Sequence, residues 1–434
     1  MLYGYSFLDP LVVISGSLLA IRLIATNPIR LVGFLPAALS LYFFIPTVTL
    51  LTLWQIVPMM LIARAFLQGR IAFPASLKPI FALFAFALLI SAGYGYFAGN
   101  DANRSLLRLV YYLGIMGLMA FGYEMGRRPE SYDALVRGFA VIASVYAVYG
   151  VYQIIALHFG LPFRGIVYGK DGVGFPVIQG LPRINALANE PKRLGFVLFV
   201  GALAFFELAG SGSAHRRKQR IFYGVMTLLV SVLTLSTSYF VAVAMLAVGA
   251  LVLYPDRAVR ILPLIVLVLV VALPIGAQFG LLDIVVQIAE SRTSEFTLGT
   301  DASIVYRQEF FGQEYIVEHP WRFFGGVGLG QYFSVLFSEF GPGVGYTEAG
   351  GLAPFNSVFL EIIYDLGGVL AIMFYALMGT LVLKLKRTGM DFLALTLLFL
   401  MLQSISIQTL QFMALVGGIG LGRNTIRRSG PGRR

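Results

Sequence analysis

The chain contains no cysteine, only three histidines and only 12% charged residues. Without cysteine there is no disulfide framework, no thiolate metal site and no thiol nucleophile. His158, His215 and His319 are isolated in the sequence, and no Asp-x-Asp pair occurs in a polar loop. No pattern for a phosphate-handling Mg²⁺ or Mn²⁺ site is therefore expected. The apolar runs are continuous rather than alternating, which excludes a transmembrane β-barrel. Residues 1–10 lack a charged segment, so no cleavable signal peptide is expected.

What the chain has in excess is apolar surface, with 58% hydrophobic residues and a mean hydropathy of +0.83. Backbone polar groups in a bilayer must be satisfied internally, so such a chain is expected to be helical. Apolar windows fall at 12–24, 31–45, 49–62, 79–97, 109–124, 138–157, 194–208, 222–235, 242–253, 261–277, 357–383, 392–405 and 409–421. They predict an all-α polytopic membrane protein with 12 or 13 spans and a single membrane domain over residues 1–434. Very tight turns are expected near Ile45 and Ser236.

Lys and Arg set the orientation. If the spans alternate, 22 of the 32 basic residues fall in short loops on one side, the expected cytoplasmic side. The net charge of +11 is then a topology signal and an anionic-lipid contact. Its scatter over seven short loops does not form a nucleic-acid patch. The opposite face receives residues 100–108, a loop at 158–193 and a long polar loop at 279–353, which carries the expected chemistry. That face keeps Arg104, Arg108, Arg164, Lys170, Arg183, Lys192, Arg193, Arg292, Arg307 and Arg322. These bases either pair with acids of the same loops, such as Glu190, Glu309, Glu314 and Glu318, or bind an anion.

Arg183, Lys192, Arg193 and Arg307 favour the anion reading. Asn189 or Glu190 followed by Pro191 reads as a helix cap with proline at the first helical position. Lys192 and Arg193 then lie in the first turn, where cations oppose the helix dipole unless an anion joins them. Residues 303–319 read as an amphipathic surface helix. At about 100° per residue, Arg307, Glu314 and Glu318 share one face, and Ile304, Phe311 and Tyr315 lie on another. The sequence Glu318-His319-Pro320 ends that helix. The glycine run at 325–330 lacks a βαβ setting and reads as a close-packed turn, not a dinucleotide fingerprint.

These residues resemble a known family. The motifs are the Asn-Glu-Pro helix start, Arg307, His319-Pro320, Gly326-Val327-Gly328-Leu329-Gly330, the stretch from Asn356 to Glu361, and Asp365-Leu366-Gly367. Their order, over residues 183–373, is similar to that of the O-antigen ligase and O-antigen polymerase (Wzy-type) superfamily of bacterial polysaccharide assembly. The resemblance implies a GT-C-like glycosyltransferase of the inner membrane, with its active site facing the periplasm and short amphipathic helices in its large loop. It implies no metal and no cofactor. The implied substrates are undecaprenyl-pyrophosphate-linked glycans as donor and acceptor, with a chain-length regulator, a flippase and bilayer lipids as partners.

Two departures matter. Ligases of this family carry a catalytic histidine at the start of the helix after the large loop, where this chain has Phe355 and Asn356. That favours a polymerase over the alternative of a ligase acting on the lipid A core. Ser236-Thr237-Ser238 stands where Ser-Arg-Gly is frequent, so one family cation is absent.

A metal-free transferase acting on a lipid pyrophosphate must stabilise the leaving group with fixed guanidinium groups. The candidate catalytic residues are Arg183, Glu190, Arg307 and Asn356, and the candidate substrate-binding residues are Lys192, Arg193, Arg322 and Glu348. Glu190 and Glu348 are the candidate bases, Glu348 being read first as a cap or ion-pair partner. Tyr168, Trp321 and Tyr346 are candidates to stack on sugar rings. A lipid-linked-oligosaccharide flippase would instead show a two-fold repeat and charges at mid-membrane.

Overall fold

The computed structural model describes residues 8–41, 43–45, 51–68, 73–97, 102–161, 163, 177–178, 181–182, 184–188, 191–210, 213–234, 236–256, 309–341, 357–403 and 407–429. In chain order the helices are α1 (Leu8–Thr26), α2 (Pro28–Ser40), α3 (Leu53–Leu67), α4 (Lys78–Phe97), α5 (Ala102–Gly126), α6 (Pro129–Phe159), α7 (Pro191–Gly210), α8 (Ala214–Val232) and α9 (Thr237–Leu253). The late segment follows with α10 (Glu309–Glu318), α11 (Pro320–Gly325), α12 (Tyr332–Phe340) and α13 (Val358–Leu366). The chain continues through α14 (Gly368–Arg387), α15 (Asp391–Leu402) and α16 (Ile407–Ser429). This is an all-α membrane protein. Among the described residues six helices, α1, α4, α5, α6, α7 and α14, are long and apolar enough to cross a bilayer. Shorter apolar helices lie at α2, α3, α15 and residues 239–253 of α9.

The helices start where the sequence supplies chain-entry chemistry. Asn27 caps α2, its side chain accepting from Arg30 N at 3.1 Å, and Pro28 occupies the first turn. Pro191 opens α7, as expected from its sequence, although the capping residues Asn189 and Glu190 lie outside the described residues. Ser236 gives the expected tight turn from α8 to α9.

Three expected spans take a different form. Residues 31–45 and 49–62 do not meet at a tight turn. Helix α2 ends at Ser40, and a two-rung antiparallel ladder pairs β1 (Phe44–Ile45) with β2 (Leu51–Thr52) before α3. Gln55 Oε1 accepts from Thr52 N at 2.9 Å and so fixes the start of α3. A second such ladder joins β3 (Val177–Ile178) and β4 (Leu181–Pro182). The expected span 357–383 breaks into α13 and α14 at Gly367, whose φ is 92°. A side chain there would overlap the carbonyl of Phe324, so the break is where the late segment packs into the membrane helix. The expected span 261–277 lies outside the described residues.

Small residues bring the main helices together. Gly122 and Gly126 of α5 lie against the backbone of α16 at Leu415 and Ile419. Gly418 and Gly422 of α16 lie in turn against Met119 and Tyr123. This matched order makes the two helices parallel, and any Cβ at the four positions would collide with backbone. Gly33 and Gly138 make the same kind of approach between α2 and α6. Close backbone contact through small residues is the main route to helix association where lipid is as apolar as the side chains. Around these seams, Leu31, Leu35, Leu118, Leu135, Leu198, Leu400 and Val416 are fully buried.

Candidate functional site

One end of the bundle holds Lys192, Glu361 and Asp365 buried. There α4, α8 and α15 finish while α5, α7, α9 and α16 begin. Gln403 Nε2 donates to Lys192 O at 3.0 Å, and Ile184 N donates to Leu233 O at 3.3 Å. The late segment is fastened to this same end.

The fastening is built from a face of α5. Ser105, Arg108 and Tyr112 recur at helical spacing and point at the late segment. Ser105 Oγ donates to Leu329 O at 2.7 Å and accepts from Gln331 Nε2 at 2.8 Å. Arg108 donates to Glu361 Oε1 at 3.1 Å, and its guanidinium lies 5.6 Å from the ring centroid of Tyr332. Tyr112 donates its hydroxyl to Asp365 Oδ2 at 3.0 Å. The other carboxylate oxygen of Asp365 accepts from Gly330 N at 2.8 Å, and Ser91 Oγ of α4 donates to the Asp365 carbonyl. Burial pushes the Tyr332 hydroxyl up, with the nearby Arg108 acting in the opposite direction.

The glycine run makes this possible. Gly326, Gly328 and Gly330 all have positive φ. Side chains at these positions would meet Tyr364 O, the Tyr94 ring and Arg104 O at 2.7, 2.9 and 2.9 Å respectively. Val327 N donates to Tyr364 O at 2.8 Å, and the Tyr364 hydroxyl reaches back to Gly312 O at 2.7 Å. The run is the close-packed turn that the sequence suggested. It joins two motifs, residues 326–330 and 361–367, into one buried unit. Asp365 is wholly buried and Glu361 is 3% exposed. Glu361 Oε2 has no hydrogen-bond partner. One arginine thus faces two carboxylates inside the protein, a polar arrangement that is costly in a membrane and marks a functional or docking element.

Of the residues expected at the site, Arg183, Glu190, Arg307, Glu348 and Asn356 lie outside the described residues. Lys192 and Arg193 stand in the first turn of α7 as expected. Lys192 is buried, and Arg193 NH1 donates to Gln408 Oε1 of α16 while its Nε is buried without an acceptor. Arg322 sits elsewhere, on α11, with its guanidinium 3.9 Å from the Trp321 ring centroid and its Nε also lacking an acceptor. Burial raises the pKa of the neighbouring Tyr315 and Arg322 opposes that shift. Arg193 and Arg322 therefore occupy separate neighbourhoods. Of the expected amphipathic helix 303–319, the part described is α10, which ends before His319 as foreseen.

Sequence reading missed two things. Arg108 was expected in a loop at 100–108, but α5 begins at Ala102 and carries it on a helix, and nothing in the chain announced that it would pair with Glu361 beside Asp365. His319 is not isolated in space. Its Nε2 lies 3.7 Å from Glu339, and Glu318, His319 and Glu339 bring three ligand atoms within 4.8 Å of one another. Glu318 and Glu339 are exposed, and exposed acids gather in this way without an ion.

No family model matches the chain, and no curated protein matches it significantly. The family resemblance rests on the order and placement of its short motifs.

Proposed function

We propose that this chain is a membrane glycosyltransferase that joins lipid-pyrophosphate-linked repeat units into a polysaccharide at the end of the bundle where the late segment docks. The observation that carries the reading is the cationic first turn of α7. Arg193 holds one fork atom on Gln408 and leaves Nε buried without an acceptor. A guanidinium left partly unpaired at a helix N-terminus suits an oxyanion, which would meet the helix dipole as well as the cation. The clasped late segment stands close by, because α13 packs against α16, the helix that also supplies Gln408.

In the proposed reaction an acceptor hydroxyl attacks the anomeric carbon of the donor. The bond to pyrophosphate breaks, and the departing oxygen takes the electron pair. Arg193, joined by Arg183 and Arg307 from the neighbouring loops, stabilises that charge, and Glu190 or Glu348 takes the hydroxyl proton. Asn356 orients the acceptor, Lys192 holds the anion beside Arg193, and Arg322, which lies apart on α11, holds another part of the substrate. Placement in an inner membrane of 12 or 13 spans, a GT-C-like architecture and a periplasmic late loop all belong to this proposal. So do the undecaprenyl carrier and the flippase and chain-length partners.

A lipid-linked-oligosaccharide transporter is the second reading, because the Arg108–Glu361–Asp365 cluster is buried within the helices. The chain shows no two-fold repeat of the kind such transporters carry. The side-chain bonds of the cluster run between α5 and the late segment, which favours a docking role. The test is reconstitution of the purified protein with lipid-linked repeat units. A ladder of products on a gel supports the polymerase, and translocation without new glycosidic bonds overturns it.

A further inference from the structure

At the opposite end of the bundle a cleft of about 420 Å³ opens between the short turn before α4 and the last turns of α14 and α16. Its walls are mostly apolar, from Leu77, Leu377, Leu381 and Leu421, and four polar residues interrupt them. Thr380 and Thr425 donate their hydroxyls to Ala376 O and Leu421 O of their own helices, which leaves Lys384 and Asn424. Lys384 stands exposed at the rim, in the basic last turn of α14 that also carries Lys386 and Arg387. Lys386 is turned toward the Tyr254 ring, 5.8 Å away, and among the described residues no ion pair holds Lys384. Asn424 is 6% exposed and lines the same cleft, yet its Oδ1 has no hydrogen-bond partner.

A buried carbonyl oxygen left without a donor is destabilising, so its retention beside an open cleft points to a ligand that brings an O–H or N–H. The aliphatic walls call for a hydrocarbon chain. The free ammonium at the rim, with no acid among the lining residues, calls for negative charge. An amphiphile with a phosphate and a hydroxyl-bearing head meets all three conditions.

We propose that this cleft binds one anionic glycerophospholipid. Lys384 pairs with its phosphate, a head hydroxyl donates to Asn424 Oδ1, and an acyl chain lies along Leu377, Leu381 and Leu421. The lipid would bridge α4, α14 and α16 at the end remote from the late segment. The site is independent of the proposed chemistry, and its failure would leave the glycosyltransferase reading unaffected.

The experiment is native mass spectrometry of the purified full chain titrated with phosphatidylglycerol, phosphatidylethanolamine or water-soluble glycerol phosphate. One phosphatidylglycerol should be retained at least tenfold more strongly than phosphatidylethanolamine, and Lys384→Glu and Asn424→Leu should each abolish that preference. Because Asn424 is buried, Thr380→Trp serves as the second variant: Thr380 is an exposed lining position, so the indole enters the cleft from its rim. Its thermal midpoint should match the unsubstituted protein while lipid retention falls at least tenfold. Equal retention of both lipids, or unchanged retention by folded Thr380→Trp protein, overturns the proposal. Displacement of the lipid by millimolar glycerol phosphate would assign the site to a soluble phosphate ester and overturn the lipid as its occupant.

Discussion

Arg108 and Glu361 stand 253 positions apart in the chain and form an ion pair 3.1 Å long that ties the late segment to α5. Side-chain exposure is 13% for the arginine and 4% for the glutamate, so each depends on the other to offset its lost hydration. Removing one partner leaves a buried charge behind, which typically costs about 3–5 kcal/mol. Arg108→Met and Glu361→Leu should each lower the thermal midpoint of the detergent-purified protein substantially. The double variant should recover part of that loss. Single variants with unchanged midpoints would mean that the pair does not fasten the segment.

Gly367 provides a second check on the clasp. Its positive φ and its contact with the Phe324 carbonyl leave no room for a methyl group. Gly367→Ala should loosen the late segment without unfolding the bundle, at a cost on the order of 1–3 kcal/mol of backbone strain. Limited proteolysis should then cut within residues 309–341 faster than in the unsubstituted chain, with the helical content unchanged.

The proposed phosphate clamp depends on guanidinium geometry as well as charge. Arg193→Lys and Arg307→Lys keep the cation but lose the planar fork, and each should cut polymer formation by tenfold or more while the protein still folds. Arg307→Ala membranes that polymerise fully would remove Arg307 from the clamp.

Metal dependence divides two catalytic strategies. Polymer formation should survive excess EDTA, and His319→Ala should leave the rate unchanged, because the proposed charge stabilisation comes from arginine. Loss of activity on chelation, restored by a divalent ion and absent in His319→Ala protein, would shift attention to the Glu318–His319–Glu339 group.

Polymerase and ligase are separated by what accumulates. Neither Phe355 nor Asn356 has a basic nitrogen able to take a proton, so activation of a lipid A core hydroxyl by histidine is unavailable there. Cells lacking the protein should display single-repeat glycans, and Asn356→Ala should slow extension while donor binding persists. Full-length polymer retained on its lipid carrier in the deletion strain would establish the ligase instead.

Much of this architecture could be read from the chain because bilayer burial leaves a one-dimensional trace. Long apolar runs gave α4 and α7 almost to their ends, with Pro191 marking the start of α7, but began α5 and α6 seven and nine residues late because their first turns carry charged and polar side chains. The break at Gly367 was hidden because the flanking residues are equally apolar, and hydropathy does not distinguish a span from two shorter helices meeting at a glycine. The clasp was hidden for a different reason. Asp365 owes its place to Tyr112 and Gly330, and Glu361 owes its place to Arg108, all from segments remote in sequence. Pairing of that kind has no periodicity to betray it. The cationic turn at Lys192 and Arg193 was legible since proline and two adjacent bases are a local signal.

The glycine seam between α5 and α16 also bears on biosynthesis. The surface of α5 around Gly122 and Gly126 finds its mate around Gly418 and Gly422, 296 positions further along the chain (418 − 122). At about 5–20 residues per second a ribosome needs on the order of 15–60 s to make the intervening stretch. During that interval the groove on α5 is open to lipid or to a passing helper protein. The clasp partners Gly330, Glu361 and Asp365 precede α16 in the chain, so α5 can be fastened to the late segment while its glycine face still waits for its mate.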